Sequence, residues 1–387
     1  MIVPLLPLFL SGVLLADMAV IGFIDGVAEG TANILKGVSG FVTDRVEKKR
    51  KLLIIGYGIS AISKPAMAFA GHWGVMLGAR FTDRIGKGIR TSPRDYLLSS
   101  SVDEKVRGQA FGFHRAMDTF GALIGATLAL LLLIFFSSNS DFFRGVFFLA
   151  FFPAIVGVAC LFLFKEQAQK IEKRHIRDKP SLPKAYWVFL IVGCLYSVIQ
   201  LTPAFLILRT KQLFEDNPSQ WWPIIGSNAS LTFAVFGFLV FNLVYVITST
   251  KMGSSSDKYG RIPVLTFGAV VLILILMVFA FITVPELALV AMALFGLYIA
   301  STEGVLKARI ADMTKGDLLL VRGTAYGWFN LTNGLTILVA ASLFGILWDT
   351  FGPTAAYFLY GVYGIIPLSG LLGLFFHERR VTGISSG

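Results

Sequence analysis

The chain has 387 residues, of which 55% are hydrophobic, only 15% are charged and 35 are Phe; this composition excludes an ordinary soluble domain and places the chain in a membrane. Its net charge of +11 sits in short loops between apolar runs rather than in one exposed basic domain, which excludes a nucleic-acid partner. Ten-residue stretches of alternating hydrophobicity are absent, which excludes a β-barrel.

The predicted elements are all helical. Apolar runs occupy 1–16, 19–42, 52–70, 74–98, 108–136, 144–164, 185–208, 223–249, 262–284, 287–312, 322–347 and 354–376. Each approaches the roughly 20 residues that cross ~30 Å of hydrocarbon as a helix. Twelve transmembrane helices are therefore expected. The first is short, carries Pro4 and Pro7 and begins at Met1, so part of it is expected upstream of this start. No signal-peptide pattern precedes it.

The loops at 43–51, 99–107, 165–184, 250–261 and 313–321, with the tail from His377, are rich in Lys and Arg. The alternate loops around Asp17, His72, Asn139, Glu286 and Asp349 are poor in them, apart from Arg209 and Lys211. By the positive-inside rule the first set is cytoplasmic, which predicts a multi-pass protein of the plasma (inner) membrane with both termini in the cytoplasm. Cys160 and Cys194 both fall in apolar runs, so no disulfide framework is implied.

A repeat divides the chain. RGQAFGFHRAMDTFGALIG at 107–125 aligns with RGTAYGWFNLTNGLTILVA at 322–340, and GFVTDRVEKKR at 40–50 with GSSSDKYGRIP at 253–263. The two offsets nearly agree, which predicts two six-helix halves, 1–164 and 185–376, with a cytoplasmic linker at 165–184 and a tail at 377–387. An even number of helices per half leaves the copies parallel, related by an axis along the membrane normal.

At these residues the sequence resembles the major facilitator superfamily of transporters. Gly40, Asp44, Arg45, Lys48, Lys49 and Arg50 are similar to that family's loop signature between its second and third helices, and Gly253, Asp257, Lys258, Gly260 and Arg261 to a degenerate second copy. The run from Ala79 to Gly88, with Arg80, is similar to its fourth-helix signature, and the longer string DRIGKGIRTSPRD is typical of a bacterial subgroup. The resemblance implies an alternating-access transporter. It also implies a gating role for Gly40, Asp44, Arg45, Asp257, Lys258 and Arg261; a plain turn with topology-setting charge is the other reading. The fifth helix lacks the family's G-P-x-x-G-G antiporter motif, and Asp83, Arg84 and Lys87 replace the Gln, Gly and Ala of the fourth-helix signature.

The fourth run is the most unusual. Counted inward from Trp73, Arg80 lies ~10 Å deep, Asp83 and Arg84 ~15 to 16 Å, and Lys87 ~21 Å. Charges so placed must face water or partners inside the bundle. Asp83 is within reach of both Arg80 and Lys87 along the helix, while Arg90, Arg94 and Asp95 are expected to anchor the cytoplasmic end by snorkelling. The second run carries Asp25, Glu29, Asn33 and Lys36 on one stripe, the third Lys64, and the fifth His114, Arg115 and Asp118. Six cations (Lys36, Lys64, Arg80, Arg84, Lys87, Arg115) face four acids (Asp25, Glu29, Asp83, Asp118), an excess of two positive charges. In the second copy the equivalent positions are Phe295, Tyr298, Ile299, Thr302, Phe329, Asn330 and Asn333; only Glu303 and Lys307 are charged there.

Two readings of the stripe follow: a closed salt-bridge network that fixes helix packing, or a functional site. In the functional reading Glu29 and Asp25, then Asp118 with His114, carry protons, because burial and a nearby arginine push an acid's affinity for protons in opposite directions. Arg80, Arg84 and Arg115 would then bind an anionic group bidentately, with Asp83 and Lys87 also in the substrate site and Asn330, Tyr298, Gln200, Tyr196 and Phe329 receiving the apolar part.

The expected function is proton-coupled secondary transport of a small organic solute, leaning to efflux. A passive uniporter and a proton-symporting importer are the rivals, and a transport-inactive sensor or scaffold is the remote one. No enzyme motif, cofactor signature or metal-ligand set is present, and the four histidines lie apart. The expected partners are the solute, protons and the lipid bilayer, with the chain monomeric.

Overall fold

The computed structural model describes residues 1–46, 48–101, 107–136, 138–163, 181–218 and 228–382, without the side chains of 40–45, 99, 100, 107–113, 115, 116, 317, 319, 320, 381 and 382. All regular structure among the described residues is helical. The helices are α1 Ile2–Gly12, α2 Met18–Arg45, α3 Lys49–Ala68, α4 Trp73–Ser100, α5 Arg107–Phe135, α6 Ser140–Leu149 and α7 Phe151–Leu163. They continue with α8 Lys184–Val198, α9 Pro203–Asp216, α10 Ala229–Tyr259, α11 Arg261–Phe281, α12 Pro285–Met313, α13 Arg322–Tyr363 and α14 Ile365–Thr382.

Local chemistry sets several boundaries. The His72 imidazole accepts the Gly74 amide at the start of α4, and the Asn139 side chain accepts that of Phe142 at the start of α6. Pro203 and Pro285 open α9 and α12, where a missing N–H leaves nothing unsatisfied. Gly260, at φ +97°, turns α10 into α11, and Gly352, at φ +84°, breaks α13 where Pro353 follows.

The sequence suggests one continuous span over 185–208, but the chain breaks between α8 and α9. Pro203 cannot continue the helix, and Thr202 takes the extended conformation favoured before proline. A similar break at Ala150 divides the sixth run into α6 and α7. With broken helices run together, eight described stretches are long and apolar enough to cross a membrane. Neither α3 nor α4 is among them; α4 carries too much charge to qualify by composition, although it packs between α2 and α3.

The seam between α2 and α13 is the most extensive contact in the molecule. Gly22, Gly26 and Gly30 recur every four residues on α2 and face Gly334, Leu338 and Ala341. A Cβ at Gly26 would lie 2.8 Å from the Leu338 carbonyl oxygen, and one at Gly30 2.9 Å from that of Gly334. At the start of α2 the Asp349 carboxylate accepts the Met18 and Ala19 amides at 3.1 and 2.7 Å, meeting the positive end of the helix. At the same end Asn228 ties α10 to α5: it donates to the Leu133 and Phe136 carbonyls at 2.8 and 2.7 Å and accepts the Ser138 hydroxyl at 2.6 Å.

Two arginines close helix C-termini in the first part of the chain. Arg144 donates to the Ala68 and Ala70 carbonyls at 3.1 and 3.0 Å, and Arg50 to those of Leu161 and Phe162 at 2.8 and 2.6 Å. Carbonyls at helix ends lack intrahelical partners, so each guanidinium supplies donors where hydrocarbon offers none.

Gly26→Leu is expected to force α2 off α13 and lower stability by about 1–3 kcal/mol or more, as overpacking does. Gly78→Ala is the control: its Cβ would meet nothing within 4 Å on α4, so helix propensity alone predicts a gain of up to about 1 kcal/mol. Thermal unfolding in detergent reads both; equal losses would contradict close packing at Gly26.

Candidate functional site

Helix α2 and helix α4 run parallel and in register. Arg80 Nη2 lies 3.0 Å from Asp25 Oδ1, and one turn on Arg84 Nη2 lies 2.8 Å from Glu29 Oε1. Lys87 Nζ approaches the other Glu29 oxygen at 3.9 Å. Farther along, Ser92 Oγ donates to the Lys36 carbonyl at 3.1 Å and Ser39 Oγ to Ser92 Oγ at 2.8 Å. The result is a ladder of charged and polar rungs between two helices.

Helical geometry decides who takes part. At about 100° per residue, positions 80, 84 and 87 share a sector about 60° wide, while 83 and 90 are turned a further ~60–80° from Arg80. Accordingly Asp83 does not pair with Arg80 or Lys87, the partners its spacing suggests. It faces α3, where Lys64 Nζ is 3.8 Å away, Ser63 Oγ donates to Asp83 Oδ1 at 3.5 Å and Ser60 Oγ donates to its carbonyl at 3.0 Å.

Arg90, expected as an interfacial anchor, turns the same way. Its guanidinium sits 4.3 Å from the centre of the Tyr57 ring and donates to Ser60 Oγ at 2.7 Å. Arg94 pairs with its neighbour Asp95 at 2.8 Å. Close approach of α3 and α4 depends on Gly56 and Gly86, where a Cβ on Gly56 would lie 2.7 Å from the Gly86 carbonyl oxygen.

Burial grades the ladder. The Arg80 and Asp25 side chains are 7% and 10% exposed, whereas Glu29 and Lys87 are 30% and 34% exposed. Asp25 is thus enclosed, and Glu29 is the more exposed of the two acids. The Nε atoms of Arg80 and Arg84 are buried without hydrogen-bond partners among the described residues. Lys36 Nζ donates to Asn33 Oδ1 at 2.8 Å.

The other expected site residues are more scattered. His114 is half-buried and Asp118 exposed on α5, and neither bonds to a described residue; the Arg115 side chain lies outside the described residues. Tyr298 is buried and meets Tyr196 at 6.4 Å between ring centres and Phe295 at 5.5 Å. Phe329 is buried too, and Gln200 and Asn330 are half-buried. On α12, Glu303 and Lys307 form the expected pair at 3.7 Å.

The side chains of Gly40, Asp44 and Arg45 lie outside the described residues. Of the second loop copy, Arg261 bonds Asp257 at 2.6 Å and Asp312 of α12 at 3.0 Å, while Lys258 lies 5.2 Å from the Tyr259 ring centre. Nothing in the local sequence pattern singles out Asp312, or Tyr57, Ser60 and Ser63 on α3. Pairing of Gly56 with Gly86 is the available signal that α3 packs close to the charged helix.

The family model described as Major Facilitator Superfamily matches residues 1–240 and again 213–385. An uncharacterized MFS-type transporter of Methanocaldococcus jannaschii is 31% identical over 97% of this chain and 90% of its own length. An uncharacterized protein of Mycobacterium bovis is 25% identical, over 88% and 81% of the two chains. Among solved structures, the nucleoside transporter NupG matches with a TM-score of 0.74 at 15% identity, covering 96% of this chain and 94% of that one. A D-xylose-proton symporter matches with a TM-score of 0.71 at 15% identity, covering 92% and 87%.

Removing one partner of the enclosed rung strands the other in low dielectric. Arg80→Met is expected to cost about 3–5 kcal/mol, and Asp25→Leu with Arg80→Met to recover most of that loss. Chemical unfolding of the single and double variants checks it; additive losses would mean that the pair is not coupled.

Proposed function

We propose that this chain, which belongs to the Major Facilitator Superfamily and is a membrane transporter rather than an enzyme, moves a small organic solute by proton-coupled alternating access. Twelve passes result when α6 with α7, α8 with α9 and the end of α13 with α14 are each taken as one broken span. They fall into two parallel halves, 1–164 and 185–376, joined by 165–184 and followed by the tail 377–387. The basic loops place both termini in the cytoplasm, and the plasma membrane is the host bilayer.

The observation that carries the coupling is the Arg84–Glu29 rung with Lys87 beside it. An acid that is both ion-paired and water-reachable can exchange its partner for a proton when the helices move; an acid sealed with its arginine cannot. Glu29 is therefore the carrier, and Asp25 is held by Arg80 in a supporting role. Asp118 with His114 is a second relay on α5, supported by Asp118's exposure. The half-buried Gln200 and Asn330 would give the solute an amide surface, backed by the buried Tyr298, which a change of state would have to expose.

At the cytoplasmic end, the Arg261 bonds to Asp257 and Asp312 tie the α10–α11 turn to α12. That tie supports a gating role for the second loop copy, with Gly40, Asp44, Arg45 and Lys258 as the other gate residues. The direction favoured is export. Anionic cargo is favoured by the surplus of cations.

Proteoliposomes test the coupling directly. Glu29→Gln is expected to reduce pH-driven flux by an order of magnitude or more while solute exchange at equal pH persists. Unchanged flux and unchanged exchange would eliminate Glu29 as the carrier and favour passive transport. A screen of thermal stabilisation by organic anions, cations and neutral solutes identifies the cargo class; stabilisation by cations alone would exclude an anionic cargo.

A further inference from the structure

Every described acid on α2, α4 and the cytoplasmic part of α12 has a cation assigned to it. Asp25 is held by Arg80, Glu29 by Arg84, Asp83 by Lys64 and Glu303 by Lys307. Two ammonium groups are then in excess. Lys36 Nζ is held by the Asn33 amide oxygen, with no described carboxylate within 4 Å, and Lys87 Nζ reaches only a carboxylate that Arg84 already bonds. Arg90, turned to α3, also meets no described carboxylate, only Tyr57 and Ser60, so toward α2 the unmatched described cations are the two lysines.

The two lysines and Lys307 converge. Lys36 lies eighteen residues along α2 and Glu303 eighteen along α12, so both are ~27 Å from the helix starts. Between them runs α13: a Cβ on Gly37 would lie 3.6 Å from Gly327, and the adjacent Tyr326 hydroxyl donates to the Lys307 carbonyl at 2.7 Å. Lys87 Nζ reaches Glu29, which lies seven residues before Lys36 and so on the same face of α2. The Lys307 side chain is 55% exposed and that of Lys87 34%, so the cluster is not sealed in the core.

We propose that this cluster seats the anionic group of the cargo, a phosphate or carboxylate held between Lys36 and Lys87, with Lys307 completing the site from α12. Arg80 and Arg84 are the less suited to it, because each guanidinium is buried and already neutralised by a carboxylate on α2. Lysine suits such a seat, since a flexible ammonium binds as a point charge and releases without the loss of a bidentate fork. Like charge on α2, α4 and α12 opposes closure of this end, and an anion between them removes that opposition. Occupancy and closure are thereby linked. The proposal rests on the transport reading for the meaning of the cavity, but its test is a binding measurement.

The probe is phenyl phosphate, titrated calorimetrically into the full chain in a neutral, phosphate-free detergent, with benzyl alcohol as the uncharged counterpart and a short-chain phosphatidylglycerol as the lipid counterpart. Phenyl phosphate is expected to bind. The paired substitution Lys36→Gln with Lys87→Gln is expected to weaken it at least about tenfold through loss of two charge-assisted contacts, while Lys36→Arg with Lys87→Arg retains binding. The ligand-free Gln pair should unfold at no lower temperature than the parent, since it removes repulsion and breaks no required pair.

Undiminished affinity in the Gln pair overturns the proposal. So do equal binding of benzyl alcohol, a response to the lipid phosphate alone, or no response of the parent to any probe. Failure of flux in liposomes with this binding intact would sink the transport reading and leave the anion site standing.

Discussion

A charge inside hydrocarbon must be matched by another charge or by water, and the arrangement of α2, α3 and α4 follows from that constraint. Helix α4 brings four charged side chains to depths where lipid offers no partner. The Asp25 and Glu29 carboxylates on α2 and Asp83's contact with Lys64 on α3 answer three of them. For those bonds to form, the helices must approach closely, which is why Gly56 and Gly86 meet between α3 and α4, and Gly88 admits Leu35 of α2. Enlargement of the glycines would separate the charges.

The internal repeat separates what packing needs from what the charges add. Gly86 corresponds to Ser301 at an offset of 215, and the close contact recurs there: a Cβ on Gly268 of α11 would lie 3.2 Å from the Ser301 Cβ. Small residues thus line the equivalent seam in both copies. Where α4 carries Arg80, Asp83, Arg84 and Lys87, however, α12 carries Phe295, Tyr298, Ile299 and Thr302, with Tyr298 packed on Tyr196 and Phe295. The same helix arrangement stands with aromatic contacts at the positions equivalent to the ladder, so the ion-pair ladder is an addition to the fold.

Much of this was legible in the residues. Hydropathy placed the helices, and depth with helical periodicity placed Arg80, Arg84, Lys87, Asp25 and Glu29 on facing stripes. Partner choice was not legible, because it depends on how far each helix is rotated about its axis. Asp83 and Arg90 accordingly turned to α3 although their spacing suggested Arg80, Lys87 or the water interface. The break before Pro203 was signalled by the proline and masked by continuous hydrophobicity. Asp349 and Asn228 read as ordinary loop residues; their bonds to the α2 amides and the α5 carbonyls join segments far apart in sequence, which no local pattern reveals.

The two ends of the α2–α13 seam differ in a way that bears on function. One end is fastened by Asp349 on the α2 amides and by Asn228 on α5, all direct bonds between segments remote in the chain. Farther along, the Glu29 and Lys87 side chains are partly exposed and that of Lys307 on α12 more so. The rung whose acid shares two cations is thus more open than the Arg80–Asp25 rung. The most direct measurement is difference infrared spectroscopy of the carboxyl stretch as purified protein is acidified in lipid. With Glu29 as the carrier, a protonated-carboxyl band appears with falling pH and is absent from Glu29→Gln; the same band at full strength in that variant, or no band at any pH at which the protein stays folded, would contradict that role.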